Sequence, residues 1–274
     1  MFKSFTPFIA KDPSAPVTVI RPQFEPCAPS QAFSIGYIPF PDGAPMHHGI
    51  ERLMLERKVV PGEIVKRRAN VVADSIERET GRRPKGKALK AIKSDVALEL
   101  LAQAFPRRKV VPFAFLGDGL VLVGSTSASE VDLVLSFLAA TNPGLVLDFL
   151  PEADLVTGKM REWVLSDIWH DPSLSVGDAC VVCTESDGTA TFKGISLEDG
   201  TIVTEPAARP GSVITSLALE TDAAQFTLTD GLAVKGIKLT QTGETPSGDA
   251  AECFLWSREL AALLSVIREA LNAA

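Results

Sequence analysis

The sequence predicts an α+β fold of antiparallel sheet interrupted by one helical insertion, and three observations predict it. Residues 110–150 run strand, strand, helix, strand, which is not the alternation of a doubly wound sheet. Later, Asp187-Gly188, Asp199-Gly200 and Asp230-Gly231 separate β-rich runs and mark hairpins. Between the two, Pro61-Gly62 opens a stretch whose apolar spacing is helical up to Phe105. The chain divides accordingly into a central α+β domain (residues 1–60 with 105–156), a helical insertion (61–104) and a C-terminal α+β domain (157–274).

In the first sixty residues prolines separate short strands at residues 16–20, 33–39 and 50–58, with Leu53 and Leu55 on one face of the last. Val65, Ala69, Val72 and Ile76 then define one helix stopped by Gly81, and Leu89, Ile92, Val96 and Leu100 define a second from about Lys87 to Ala104. Short connections force such helices antiparallel, so the pair forms a hairpin. Residues 110–116 and 120–124 flank Gly117-Asp118-Gly119 as a β-hairpin. Ser127 and Glu130 stand at capping-box spacing ahead of a helix that ends near Ala140, before Asn142-Pro143-Gly144. A buried strand is expected over 145–150 and a helix from Thr157. Strands follow over 179–184, 189–197, 213–220, 225–229 and 232–240, and a last helix starts at an N-cap Ser257. Its Leu260, Leu263, Leu264, Ile267 and Leu271 form one stripe, which predicts docking on the preceding sheet.

Charge singles out the helical stretch. Residues 52–109 hold sixteen of the 27 Lys and Arg against seven acids, a balance of +9, while the remainder stands at −16. A localised positive field on an acidic chain suits a polyanionic partner; a solvated helical pair is the bland alternative. The candidate contacts are Lys66, Arg67, Arg68, Arg78, Arg82, Arg83, Lys85, Lys87, Lys90, Lys93, Arg107, Arg108 and Lys109, spread over two helices and their junctions. Such a spread neutralises phosphates without reading bases. Phe105 beside them is a candidate wedge or stacking side chain.

Other chemistry finds less support. Gly81 to Ala88 follows the phosphate-loop pattern until its last position, where Ala88 lacks the hydroxyl that holds magnesium, and the loop follows a helix instead of a strand. Cys180 and Cys183 have the spacing of half a zinc site, but a strand turns them to opposite faces and no second pair stands at matching distance. Adjacent His47 and His48, and His170, have no carboxylate assigned to orient them. A metal-dependent nuclease would rest on Asp148, Glu152 and Asp154, the compact acidic group near a strand end. No cofactor or metal is expected. The widely spaced cysteines suit a reducing compartment. No run is long enough for a membrane span and the first residues do not form a secretory signal, so a cytoplasmic location is expected.

The run VVPGEIVKRRANVVADSIERETGRRPKGKALKAIKSDVALELLAQAFPRR, the hairpin FLGDGLVLVGS with the helix after it, GTIVTEPAARPGSVITSLAL and the C-terminal FLWSRELAALLSVIREAL resemble the RdgC family of recombination-associated proteins, as does FEPCAPSQAFSIGYIPF near the start. The segments occur in family order over most of the chain. The resemblance implies a non-enzymatic, nucleoid-associated protein that forms a head-to-head homodimeric ring around double-stranded DNA and restrains RecA-promoted strand exchange, with single-stranded DNA a further candidate partner. Residues 61–104 would be the projecting tip and the C-terminal domain the base, both closing the ring. Phe105 matches an aromatic in the family's LLPRAF segment, here LLAQAF. Two other classes stay open, the nuclease and a regulator that binds RecA or another acidic protein without DNA.

Overall fold

The computed structural model describes residues 1–12, 20–165, 173–184, 188–195, 201–240 and 247–272. The expected strand at 16–20, His170, Asp199-Gly200 and Asp187 lie wholly or largely outside them. Among the described residues the fold is α+β, with eleven strands in a large antiparallel sheet and six α-helices. The chain forms two compact units, a larger one (Met1–Ile20, Pro39–Arg52, Pro112–Ala274) and a smaller one (Arg21–Ile38, Leu53–Val111).

In the larger unit the strands run in the order β4 (Pro106–Phe115), β5 (Leu120–Val123), β1 (Ser4–Ala10), β11 (Val234–Leu239), β10 (Ala224–Thr229), β9 (Val213–Glu220), β7 (Ser175–Thr184) and β8 (Gly188–Lys193), with β6 (Leu147–Phe149) also on β1. The helices here are α3 (Ala128–Thr141), α4 (Val156–Leu165), α5 (Thr201–Ala208) and α6 (Asp249–Asn272). Phe2, Phe5, Leu122, Ile214, Leu217 and Val234 share one buried cluster with Met160 and Val164 of α4 and with the predicted stripe of α6.

Several expectations need correction. β1 was not foreseen, because Pro7 and nearby charge argue against a central strand. Its register shows why the proline is tolerated: Ser4 and Phe5 pair with β11 and Phe8 to Ala10 pair with β6, so Pro7 stands at the handover between two partners. α5 was also missed, since Thr201, Ile202, Val203, Thr204 and an internal Pro206 are poor helix formers. Its end is held from outside, where Arg161 Nε donates to Ala207 O at 3.0 Å and Ser212 Oγ to Pro206 O at 2.7 Å. α6 begins at Asp249, eight residues before the predicted cap, and Ser257 lies inside it, bonding back to Phe254 O. Ser127 makes no side-chain cap. The Glu130 carboxylate instead accepts from Ser125 Oγ at 2.5 Å, a side-chain bond, so the reciprocal capping box is not formed. β6 is three residues long and Phe149 is exposed, not buried as the apolar run suggested.

The smaller unit contains β2 (Phe33–Tyr37), most of β3 (Ile50–Lys58), α1 (Gly62–Thr80), α2 (Gly86–Gln103) and the start of β4, with β3 between β2 and β4. Both helices fall within a residue of their predicted limits. Gly81 ends α1 in the left-handed region (φ 72°), donating its N–H to Glu77 O at 2.8 Å. The two helices pack on each other, and Arg68 meets Glu99 at 3.7 Å across the pair. Only Ala69, Ala73 and Val96 are fully buried, so the predicted stripes are half-covered.

Candidate nucleic-acid interface

The division by packing coincides with a division by charge. The smaller unit carries sixteen Lys and Arg and eight Asp and Glu, a balance of +8; the larger has eleven and 26, or −15. Positive charge is therefore the property of one packed body as well as of one stretch of sequence.

Within that body the structure sorts the candidate cations. Arg83 Nη1 is claimed by Asp74 and by Glu77 of α1, the second at 3.1 Å, and the Asp74 contact foremost raises its pKa. Arg68 pairs with Glu99, and Arg78 Nε donates to Asp74 O at 3.3 Å. Arg108 Nε donates to Glu56 Oε2 at 2.6 Å, with its guanidinium 5.6 Å from the Phe24 ring centroid. Lys109 also has a partner. The other eight, Lys66, Arg67, Arg82, Lys85, Lys87, Lys90, Lys93 and Arg107, are exposed and form no ion pair with the described residues. Five of them run from the interhelical turn along α2.

That turn is not built to cradle a nucleotide. Helix α1 leads into it, the Gly81 N–H is spent on α1, and the Arg82 N–H approaches Thr80 Oγ1 at 3.4 Å. Phe105 follows α2 with its side chain 92 % exposed, a large apolar surface next to Arg107.

The sequence did not disclose Glu56. Its carboxyl is 1 % exposed, accepting the Cys27 N–H at Oε1 (2.7 Å) and Arg108 at Oε2. The Arg108 bond foremost, helped by the Cys27 N–H, outweighs burial and holds the carboxyl below its usual range. Period-two alternation sets Glu56 opposite Leu53 and Leu55, on a face that sequence alone would leave to solvent.

The remaining candidates fall apart spatially or chemically. Asp148 binds Lys11 at 2.9 Å and Glu152 is buried against Arg268 Nε (2.8 Å), so two of the three acids proposed for a nuclease are engaged with cations of the fold, while Asp154 is exposed. Among the described residues no three His, Cys, Asp or Glu are grouped to hold a metal. Cys180 is buried and Cys183 half-buried on β7, both as free thiols. His47 does have a carboxylate partner, Asp42, at 2.7 Å, while His48 packs edge-on against Phe254. No described helix is long and apolar enough to cross a membrane.

Fold and charge thus define an α+β protein of two oppositely charged units whose unpaired cations cluster on a helix pair. The profile of the family described as "Putative exonuclease, RdgC" matches residues 18–273, and the chain belongs to that RdgC family. It is similar to the recombination-associated protein RdgC of Herminiimonas arsenicoxydans, 29 % identical over 78 % of this chain and 73 % of the relative. It is equally similar to those of Pseudomonas fluorescens (29 %, 82 % and 78 %) and Xanthomonas oryzae pv. oryzae (29 %, 81 % and 77 %).

Proposed function

We propose that the chain is a sequence-nonspecific double-stranded DNA-binding protein that acts in recombination. The observation that carries this is the set of eight exposed, unpaired cations on the +8 unit. Unpaired Lys and Arg release counterions from phosphates, whereas Arg83 and Arg108 have already spent their charge on protein carboxylates. Membership of the RdgC family, whose relatives are named recombination-associated, supports the setting. On this reading residues 61–104 are the DNA-facing tip, residues 1–60 with 105–156 the centre and 157–274 the base of a homodimeric ring around the duplex. Occupying DNA in this way restrains RecA-dependent strand exchange.

The test is a titration of affinity against salt on duplexes of unrelated sequence, with and without magnesium. Eight phosphate contacts per chain set an upper slope in log K against log salt of about −7 for each chain, or about −14 for the homodimer. Slopes of several units with little dependence on sequence support the reading. A flat response, or strong preference for one duplex, overturns it. Magnesium-dependent shortening of the duplex from its ends would favour the exonuclease activity that the family description names.

A further inference from the structure

We infer that Glu56 and Arg108 form a positioning clamp that presents Phe105 and Arg107 to the polyanion, so that Arg108 itself is not a phosphate contact. The inference rests on the DNA-binding reading but specifies which residues around the α2–β4 junction bind and which one aims them. Glu56 is the one fully buried acid of the smaller unit. Its two carboxylate oxygens take different partners: the backbone of Cys27 at 2.7 Å and the Arg108 guanidinium at 2.6 Å. The Cys27 thiol lies 3.7 Å from the Glu56 carbonyl, and Arg108 also covers the Phe24 ring. A single carboxylate therefore ties the 24–27 segment, β3 and the first turn of β4 together.

Pro106 to Val110 are all exposed, so the start of β4 lacks the apolar burial that fixes its later residues. Beyond the backbone pairing of β4 with β3, Arg108 gives it a side-chain anchor. On a strand, side chains alternate, so holding Arg108 toward Glu56 turns Arg107 to the other face. Phe105, three residues before the clamp, lies between α2 and β4 in neither element, so in the clamp its direction follows from how the start of β4 is held. Fixing such side chains before binding removes part of the ordering cost that association otherwise incurs.

The substitution Glu56→Gln separates positioning from bulk electrostatics by sign. Removing a negative charge from the basic unit strengthens binding if only net charge matters. It weakens binding if the clamp positions the contacts, by about 2- to 10-fold for one or two side chains that must now be ordered on association. Affinity for a 20-base-pair duplex is measured across salt for wild type, Glu56→Gln, Arg108→Gln, the double variant and Arg107→Gln, with hydrogen exchange followed over residues 104–111. We expect Arg107→Gln to lower the salt slope by about 0.9 per chain without changing exchange. Glu56→Gln and Arg108→Gln weaken binding with the slope unchanged and speed exchange, and the double variant is no worse than either single. Arg108→Lys keeps the charge but loses the Nε–H bond, and behaves as Arg108→Gln. Tighter binding by folded Glu56→Gln, or a slope lowered by Arg108→Gln as much as by Arg107→Gln, overturns the clamp. If wild type fails to bind duplex DNA, the functional reading fails. Exchange at residues 104–111 then tests the anchor alone: faster exchange in Glu56→Gln upholds it and unchanged exchange refutes it.

Discussion

Replacing Arg268 by Met tests whether Glu152 serves the fold of the larger unit. Glu152 lies in the turn between β6 and α4, 7 % exposed, and its Oε1 accepts from Arg268 Nε at 2.8 Å and from Asn272 Nδ2 at 3.4 Å, both on the last turns of α6. Its Oε2 is buried without a hydrogen-bond partner, so the charge is compensated by its own backbone N–H and by the arginine. Removing one partner of a fully buried pair costs roughly 3–5 kcal/mol. Arg268 is itself 35 % exposed, and water admitted there reduces the expected loss to about 2–3 kcal/mol. Glu152→Gln retains an acceptor for Arg268 and should cost only about 1 kcal/mol. Burial opposes ionisation of Glu152, but its own backbone N–H, Arg268 and Asn272 outweigh it and lower the pKa. The carboxylate therefore contributes stability that is complete above the unfolded Glu value, about 4.3, and is lost as pH falls through the lower folded value. Urea unfolding followed by tryptophan emission suits the assay, because Trp163 and Trp256 lie on α4 and α6. Arg268→Met should lose more stability than Glu152→Gln at pH 7, and the gap between each variant and wild type should close as pH drops below about 4. A loss under about 0.5 kcal/mol for Arg268→Met, or a gap that widens in acid, would refute the reasoning.

Two further outcomes follow from local geometry. Gly49 has φ 77°, and a Cβ there would stand 2.3 Å from the Phe115 carbonyl oxygen, whereas Gly43 (φ 87°) faces open space. Both substitutions to Ala incur about 1–2 kcal/mol of left-handed strain. Gly49→Ala adds a backbone clash of about 1–3 kcal/mol, so its melting temperature should fall well below that of Gly43→Ala, and equal values would contradict the packing. Burial pushes the Cys180 thiol up to about 12 and, with Glu252 and Asp249, the Cys253 thiol up to about 11. Both should resist a disulfide reagent at pH 8 until denaturant is added, and prompt modification in the native protein would show that these thiols are not buried as described.

What the sequence disclosed follows from how local each signal is. The limits of α1 and α2 were legible because propensity, apolar spacing and Gly81 agree within a few residues. β9 was legible for the same reason, and Asp230-Gly231 closes the turn before β11 with Thr229 N–H bonded to Ala233 O. β1 was invisible since its stability comes from pairing with residues more than a hundred positions away, which outweighs a proline in the strand. α5 is held at its end by Arg161 of α4 and by Ser212 of the loop that follows it, and no window of its own eight residues predicts it. The start of α6 was misplaced because Phe254-Leu255-Trp256 resembles a strand end when its burial is unknown.

For the interface, the distinction that matters is between having a charge and having it available. A count over residues 52–109 found the basic patch, since opposite charges pair or separate only in three dimensions and counting ignores which. Asp74 and Glu77 precede Arg83 by nine and six residues, too far for helical spacing to suggest the pairing; the turn after Gly81 brings them together. Glu56 and Arg108 are 52 residues apart, and nothing local marks Glu56 as buried. On the proposed reading, a carboxylate held ionised inside a basic unit would do two things at once: remove one cation from the set open to phosphates, and fix the backbone from which the next cation projects. The sequence therefore overstates the number of available cations while understating the order among them, and on the proposed DNA-binding function the salt slope measures the first as hydrogen exchange measures the second.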